Sequence, residues 1–293
     1  MRDERLVAMP VVRIEDATDG RLRDYRGASD PELARGAGLF VAEGRLVVRR
    51  LLLDSRFPTR SVLVTEPALA ALADVVDARP ALPVFLVPQT LMRGITGFNI
   101  HRGCLAIGER TATVRWQDVV GSFHPEPAAE AGVRRQTLIL VLEGVANADN
   151  VGGIFRSAAA FGASAVLLDP ASTDPLYRKA IRTSMGAALK VPFARAEPLP
   201  DALDALRRSG VALIGMTPSP SAAPLGEIVA AVTGRPAAIV LGHEGEGLTV
   251  RSLGACEFLA QIPISTAVDS LNVAAAGAIA LYEFRRADLR HGL

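Results

Sequence analysis

From Asp30 onward, short apolar runs alternate with amphipathic stretches along most of the chain. Leu39-Phe40-Val41, Ser61 to Thr65, Val84 to Val87 and Gly103 to Ile107 read as strands, with Val11 to Ile14 as a short one ahead of them. Arg45 to Leu53, Pro67 to Val76 and Gln89 to Arg93 repeat their apolar positions at helical spacing. Asp30-Pro31 marks a further helix start, with aspartate as N-cap and proline in the first helical position. The alternation predicts a small α/β sandwich of about 80 residues. Residues 111 to 136 break the pattern: Gly121-Ser122-Phe123-His124-Pro125-Glu126-Pro127 has the composition of a linker.

Behind that break the alternation is stricter. Strands are predicted at 138–142, 165–168, 189–193, 211–215, 238–242 and 257–261, and helices near 151–162, 178–185, 199–208, 250–255 and 271–286. Strands alternating with helices imply an α/β fold whose mostly parallel sheet is covered on both faces. The expected organisation is a domain over 1–110, a linker over 111–136 and a second domain over 137–293.

The candidate chemistry lies where strands of the second domain end. Leu138 to Leu142 runs into a polar loop and a helix that opens near Asn150, placed as an N-cap. Gly152 and Gly153 in the first turn weaken a helix, which points to a close backbone approach there. Arg156 stands alone among Ile154, Phe155, Ala158 and Ala159, so it must face water, an anion or a substrate. Loops at the carboxyl ends of parallel strands are where open α/β sheets place ligands. A second buried strand ends in Gly242-His243-Glu244-Gly245-Glu246-Gly247, and Ile262-Pro263-Ile264 leads through Asp269-Ser270-Leu271-Asn272 into an apolar last helix. The glycine loop is no dinucleotide fingerprint: its spacing differs, and its two acids would repel a pyrophosphate.

In order and spacing these three stretches resemble the motifs of the SpoU/TrmH family of RNA ribose 2′-O-methyltransferases, in the SPOUT superfamily. The resemblance covers about Gln136 to Arg286. It implies a trefoil-knotted catalytic domain, a homodimer, and transfer of a methyl group from S-adenosylmethionine to a ribose 2′-hydroxyl. Residue by residue, it implies that Gly242, Ile262 and Leu271, joined by Thr217, hold the cofactor. It further implies that Arg156, Asn150, Glu244, Ser270 and Asn272 form the catalytic set. A guanidinium stays protonated across the working pH range, so Arg156 reads as a grip on a substrate phosphate and on the developing alkoxide. Glu244 is expected to orient Arg156 or to interact with the bound substrate or cofactor, and Asn150 to position Arg156 or the ribose. His243 reads as structural. Ser270 and Asn272 are expected to hydrogen-bond substrate or Arg156, with Asp269 or Ser270 capping the last helix. The family's usual proline is missing before Asn150, where Ala148-Asp149 stands instead.

Phe40-Val41-Ala42-Glu43-Gly44 with Arg45, Arg49 and Arg50, and Thr96-Gly97-Phe98-Asn99-Ile100-His101-Arg102-Gly103, resemble parts of the small ribosomal-protein-like RNA-binding domain that precedes the catalytic domain in some members. Arg45, Arg49 and Arg50, and likewise Arg178, Lys179 and Arg182, are either solvated faces or contacts to phosphate. The implied partner is a structured RNA, rRNA ahead of tRNA, and 23S rRNA first. The alternatives are a tRNA substrate or an RNA-binding protein without catalysis.

Composition narrows this little. The net charge is only +1, so global charge alone does not announce a nucleic-acid binder. Lys179 and Lys190 are the only lysines; the remaining cations are arginine, which suits bidentate phosphate contacts. Cys104 and Cys256 stand far apart without metal spacing, so no metal site is expected and a reducing, cytoplasmic compartment is. No signal peptide is read at the N-terminus, and the apolar run Leu271 to Tyr282 is too short for a membrane span.

Overall fold

The computed structural model describes residues 11–26, 29–96, 103–111, 114–121 and 136–290. The expected contacts His101 and Arg102, the loop 97–102 and most of the expected linker lie outside these residues. In chain order the elements are β1 (Val12–Arg13), α1 (Asp30–Ala37), β2 (Leu39–Glu43), α2 (Arg45–Asp54), β3 (Thr59–Val64), α3 (Glu66–Asp77), β4 (Val84–Leu86), α4 (Gln89–Thr96), β5 (Cys104–Glu109) and α5 (Trp116–Gly121). They continue with β6 (Leu138–Leu142), α6 (Ala148–Ala160), β7 (Ala165–Leu168), α7 (Arg178–Thr183), β8 (Phe193–Arg195), α8 (Leu199–Arg208), β9 (Ala212–Met216) and β10 (Ala223–Pro224). The last are α9 (Leu225–Ala231), β11 (Ala237–Leu241), α10 (Val250–Ala255), β12 (Phe258–Gln261) and α11 (Val273–Arg290). No helix among the described residues is long and apolar enough to cross a membrane.

Two compact units form. One is Met1–Ala112 with Leu176–Lys190, the other Thr113–Pro175 with Val191–Leu293. The first holds a five-stranded sheet in the order β1-β4-β3-β5-β2, with β5 antiparallel to both neighbours. Alternation on β2 puts Leu39 and Val41 in one core with Leu63, Leu105 and Ile107, while Phe40 meets Phe57 edge-to-face at 5.4 Å. Helix α1 is capped by Ser29, not by the expected Asp30: Ser29 donates its N–H and its hydroxyl to Glu32, at 2.9 and 2.8 Å. Asp30 instead accepts the backbone N–H of Arg178 at 3.0 Å.

The arginine-rich face of α2 is largely occupied within this unit. Arg49 makes a fork onto Asp74 of α3, at 2.5 and 2.8 Å. Arg50 donates to the Met185 carbonyl at 2.5 Å. Only Arg45 of the three is exposed and without a hydrogen bond or ion pair among the described residues. Arg178 and Arg182 lie 3.7 and 4.0 Å from the Glu43 carboxylate. Leu189, expected to open the strand 189–193, instead ends a 3-10 turn over Ala187–Leu189, and its carbonyl accepts the Arg56 N–H at 3.0 Å; the strand is Phe193–Arg195.

The second unit is built on a seven-stranded, wholly parallel sheet in the order β10-β12-β9-β11-β6-β7-β8. The central strands β6 and β11 are buried at every position, which is why they read as unbroken apolar runs. One face carries α5, α8 and α10 over Ile139, Val141, Leu213 and Val240. Val119 and Val120 of α5 are buried there, so residues 116–121 within the expected linker are helical and part of a core. The other face carries α6, α9 and α11. The chain passes from β11 through α10 to β12, beyond β9, and returns as α11 over α6 and β11, a path compatible with the expected trefoil.

The close approach signalled by the glycines of α6 is that of α11. A Cβ at Gly153 would sit 3.0 Å from Ala274 Cβ. Arg285 fixes the far end of α11 by donating to the carbonyls of Phe161, Gly162 and Gln136 at 2.6, 2.7 and 2.9 Å, and to Asp288 at 2.6 Å.

Candidate functional site

The loops that follow β6, β9, β11 and β12 gather at the carboxyl ends of adjacent parallel strands. The loop after β11 folds back on itself. His243 and Gly247 exchange backbone hydrogen bonds of 3.1 and 3.0 Å, and Gly247 takes a φ of 73°. His243 Nδ1 accepts the N–H groups of Gly245 and Glu246 at 3.0 and 3.1 Å. An imidazole nitrogen engaged as a double acceptor shapes the turn and is not available as a base. Gly242 is required by the same turn: a Cβ there would lie 2.4 Å from the Gly247 carbonyl carbon and 2.5 Å from the Leu248 nitrogen. The close approach at Gly242 is therefore that of its own loop.

The loop after β6 is shaped from the other side. Asp169, just past β7, accepts from the Gly144 N–H at 3.0 Å and from the Ser172 N–H and hydroxyl at 2.8 and 2.6 Å. Ser172 in turn accepts the Val145 N–H at 3.0 Å. Arg195 donates to the Asp169 and Ser172 carbonyls at 2.9 and 3.1 Å. Their sequence signal was only an aspartate directly after an apolar strand.

Helix α6 starts one turn earlier than expected. Its N-cap is Asn147, whose side chain accepts the Asp149 N–H at 2.8 Å. Asn150 is thereby free of capping and lies inside the first turn. Its Nδ2 donates to Glu244 at 2.7 Å, and its Oδ1 accepts from Asn272 Nδ2 at 2.8 Å. Asn272 Oδ1 accepts the N–H groups of Ala274 and Ala275 at 2.9 and 3.3 Å, so Asn272, not Asp269 or Ser270, caps α11. Three of the five expected catalytic residues are thus linked in one chain that ends on a helix cap. Arg156 is not in it. Six residues beyond Asn150, it lies about 120° around and about 9 Å along the helix. Its side chain is exposed and makes no hydrogen bond or ion pair with another described residue. The expected pairing of Glu244 with Arg156 is replaced here by the pairing of Glu244 with Asn150.

Beside this chain lies a pocket of about 160 Å³, lined by Thr217, Gly242, Glu244, Ile262, Ser270, Leu271 and Val273 among others. It contains all four residues expected to hold the cofactor. Ile262, Leu271 and Val273 make apolar walls suited to a purine. The backbone N–H groups of Ile262 and Leu271 have no intrachain partner among the described residues. Unpaired main-chain donors on an apolar slot fit adenine, and a carboxylate at its edge fits a cationic sulfonium.

Cys256, behind the pocket loop, has its thiol pushed up to about 12 by burial and then by the negative charge of Glu143. Its thiolate is accordingly scarce at pH 8. Iodoacetamide is expected to alkylate Cys256 in the native protein at least about 100-fold more slowly than in the unfolded chain, as read by mass spectrometry.

An open, parallel α/β sheet with a pocket among the loops at the carboxyl ends of its strands is the arrangement that binds nucleotide-like cofactors. The model of the SpoU rRNA Methylase family matches residues 137–282. A protein of Mycobacterium tuberculosis named as an uncharacterized tRNA/rRNA methyltransferase is 40% identical over 92% of this chain and 90% of its own length. A 23S rRNA (guanosine-2′-O-)-methyltransferase of Ralstonia nicotianae is 30% identical over 72% of this chain and 80% of its own. The S-adenosylmethionine-bound rRNA methyltransferase of Sinorhizobium meliloti superposes with a TM-score of 0.76 at 26% identity, covering 94% of this chain and 98% of that one. The chain belongs to the SpoU family and is an S-adenosylmethionine-dependent RNA methyltransferase.

Proposed function

We propose that the protein methylates a ribose 2′-hydroxyl in a structured ribosomal RNA, 23S rRNA ahead of tRNA, and that it does so as a cytoplasmic homodimer. The observation that carries this is the Glu244–Asn150–Asn272 chain standing beside the pocket while the side chain of Arg156 of the same helix is left unpartnered among the described residues. Gly242, Ile262, Leu271 and Thr217 hold the cofactor, the last three by wall and backbone. S-adenosylmethionine supplies a methyl group on a sulfonium, a good leaving system. The protein has to align the 2′-oxygen with that methyl and accommodate the hydroxyl proton. Alignment alone can supply about 7–11 kcal/mol of barrier reduction.

Asn150 and Asn272 fix the Glu244 carboxylate, and Glu244 stabilises positive charge at the pocket edge. Ser270, exposed on the pocket rim, offers a hydroxyl to the substrate. Arg156 grips the phosphate next to the target ribose and stabilises the 2′-oxygen as it gains charge, with the proton leaving to phosphate or water. Arg156 faces away from Asn150 in its own chain. Near it α6 and α11 expose Ala159, Ala160, Ile279 and Tyr282, an apolar surface of the kind a second subunit covers. In the homodimer Arg156 of one subunit serves the pocket of the other. The name shared by the 40%-identical relative leaves tRNA and rRNA equal; that of the 30%-identical one favours 23S rRNA.

Asn150→Ala removes both of its bonds and frees Glu244, so turnover at saturating cofactor is expected to fall about 100-fold, measured by steady-state methyl transfer. The reading as a whole is tested by the product. Total RNA labelled from S-adenosylmethionine and hydrolysed in alkali should leave the label in resistant dinucleotides, because a 2′-O-methyl blocks cleavage, and these should derive from the large ribosomal RNA. Label in mononucleotides would place the methyl on a base. Label confined to the tRNA fraction would move the substrate to tRNA.

A further inference from the structure

A carboxylate outside the pocket and outside the catalytic set holds the pocket loop in place. Glu143 follows β6 directly and makes no part of the pocket lining. Its Oε1 accepts the hydroxyls of Thr249 and Ser252 at 2.9 and 2.7 Å, and its Oε2 accepts the Thr249 N–H at 3.0 Å. Thr249 is the N-cap of α10, accepting the Ser252 N–H at 3.2 Å. It is also the residue at which the loop that began at Gly242 ends. The backbone of Glu143 bonds β11 through Leu241 at 2.9 Å, and the next residue, Gly144, backs onto His243, whose Cβ would lie 3.3 Å from a Cβ placed there. Glu143 therefore ties the end of the loop to the strand beside which the loop begins. Carboxylate hydrogen bonds to neutral donors are stronger than neutral ones and hold geometry accordingly.

We propose that Glu143 is a positioning residue for S-adenosylmethionine binding, acting through Thr249 and Ser252 to keep the 242–248 loop closed against the pocket. The proposal rests on this pocket being the cofactor pocket. Between Gly242 and Thr249 the loop's own bonds are the His243–Gly247 pair and the His243 Nδ1 contacts, all internal to it. These keep its shape but do not anchor it. Anchoring comes from β11 at one end, from Asn150 on Glu244 near the start of the loop, and from Glu143 at the far end. With the Glu143 anchor gone, Asn150 still holds Glu244, but the rest of the loop up to Thr249 can move, so the pocket wall is no longer fully set before the cofactor arrives. The loss therefore falls on binding, and little of it on the chemical step.

Glutamine separates a brace from a charge. In Glu143→Gln the amide oxygen can accept the Thr249 N–H, and the amide nitrogen can donate to the Thr249 and Ser252 hydroxyls, which reorient to accept. Calorimetry and steady-state kinetics with S-adenosylmethionine make the test. Glu143→Ala should raise Kd and KM for S-adenosylmethionine by about tenfold or more with kcat within about threefold of wild type, and Glu143→Gln should stay within about threefold in both. The double variant Thr249→Ala with Ser252→Ala, which leaves Glu143 in place, should raise KM by about threefold or more, and it carries the test if Glu143→Ala does not fold. Wild-type affinity in Glu143→Ala, or in the double variant, would overturn the brace. Glu143→Gln as impaired as Glu143→Ala would overturn it too, by assigning the effect to charge. Leu271→Asp is the control for the pocket itself. If it binds S-adenosylmethionine like wild type, the cofactor lies elsewhere and the pocket reading fails; if it loses binding while Glu143→Ala retains it, the brace alone fails.

Discussion

Arg156→Ala is expected to reduce methyl transfer by about 10³-fold or more while leaving S-adenosylmethionine affinity within about threefold of wild type. Both halves follow from where the residue stands. Arg156 is exposed on α6, is absent from the pocket lining and makes no bond that holds the fold together among the described residues. Its loss therefore costs little stability and no cofactor contact. In the proposed role it removes a planar cation aimed at the substrate, whose phosphate contact and alkoxide stabilisation would act only when RNA is bound. Arg156→Lys keeps the charge but loses the fork, so it should recover only a small part of the rate. If Arg156 serves the partner's pocket, mixing Arg156→Ala subunits with Asn150→Ala subunits should regain activity that neither variant has alone, since mixed dimers contain one intact site.

Gly242→Ala should cost about 100-fold or more in S-adenosylmethionine affinity and lower stability by about 1–3 kcal/mol. The added methyl has no flexible side chain to displace: at 2.4–2.6 Å it meets the backbone of Gly247 and Leu248. The loop must open for the methyl to fit, and opening it breaks the His243–Gly247 pair and moves Glu244 away from Asn150. A comparison at Gly226, where a Cβ would meet nothing within 4 Å, separates loop opening from a general effect of glycine replacement: Gly226→Ala should bind the cofactor like wild type. Titration calorimetry and thermal melts of the two variants read both quantities.

The parallel sheet was legible in the sequence because its central strands are buried on both faces. Leu138 to Leu142 and Ala237 to Leu241 have no polar face to hide, and nothing but a core strand accounts for such runs. Helix α9 went unread although Leu225, Ile228 and Val229 are spaced for one buried face. Seven residues, with proline just before them, give too short a period to stand out. Cap positions were the weakest inference. Ser29 and Asp30, like Asn147 and Asn150, offer two capping side chains within one turn. The choice falls to whichever is not claimed by tertiary contact, here Asp30 by Arg178 and Asn150 by Glu244 and Asn272. The arginines of α2 show the same limit. Spacing put Arg45, Arg49 and Arg50 on neighbouring faces, but Asp74 and the Met185 carbonyl, which hold two of them, are remote in sequence.

At the site, the residue types at strand ends were legible and their pairing was not. Glycine, glutamate and asparagine mark loops that bind something, but which amide meets which carboxylate depends on how β6, β11 and the start of α11 are brought side by side. Glu143 and Asp169 were silent for a related reason. Each is a single acid after an apolar run, a pattern that a solvated loop produces as readily as a brace.

The most direct measurement is methyl transfer from labelled S-adenosylmethionine to total cellular RNA, wild type beside Arg156→Ala, with cofactor binding by both followed calorimetrically. Incorporation into ribosomal RNA by the wild type that vanishes in Arg156→Ala, with equal cofactor binding by the two proteins, is the result expected of a catalytic site assembled from Asn150, Arg156, Glu244, Ser270 and Asn272. Undiminished incorporation by Arg156→Ala would contradict it.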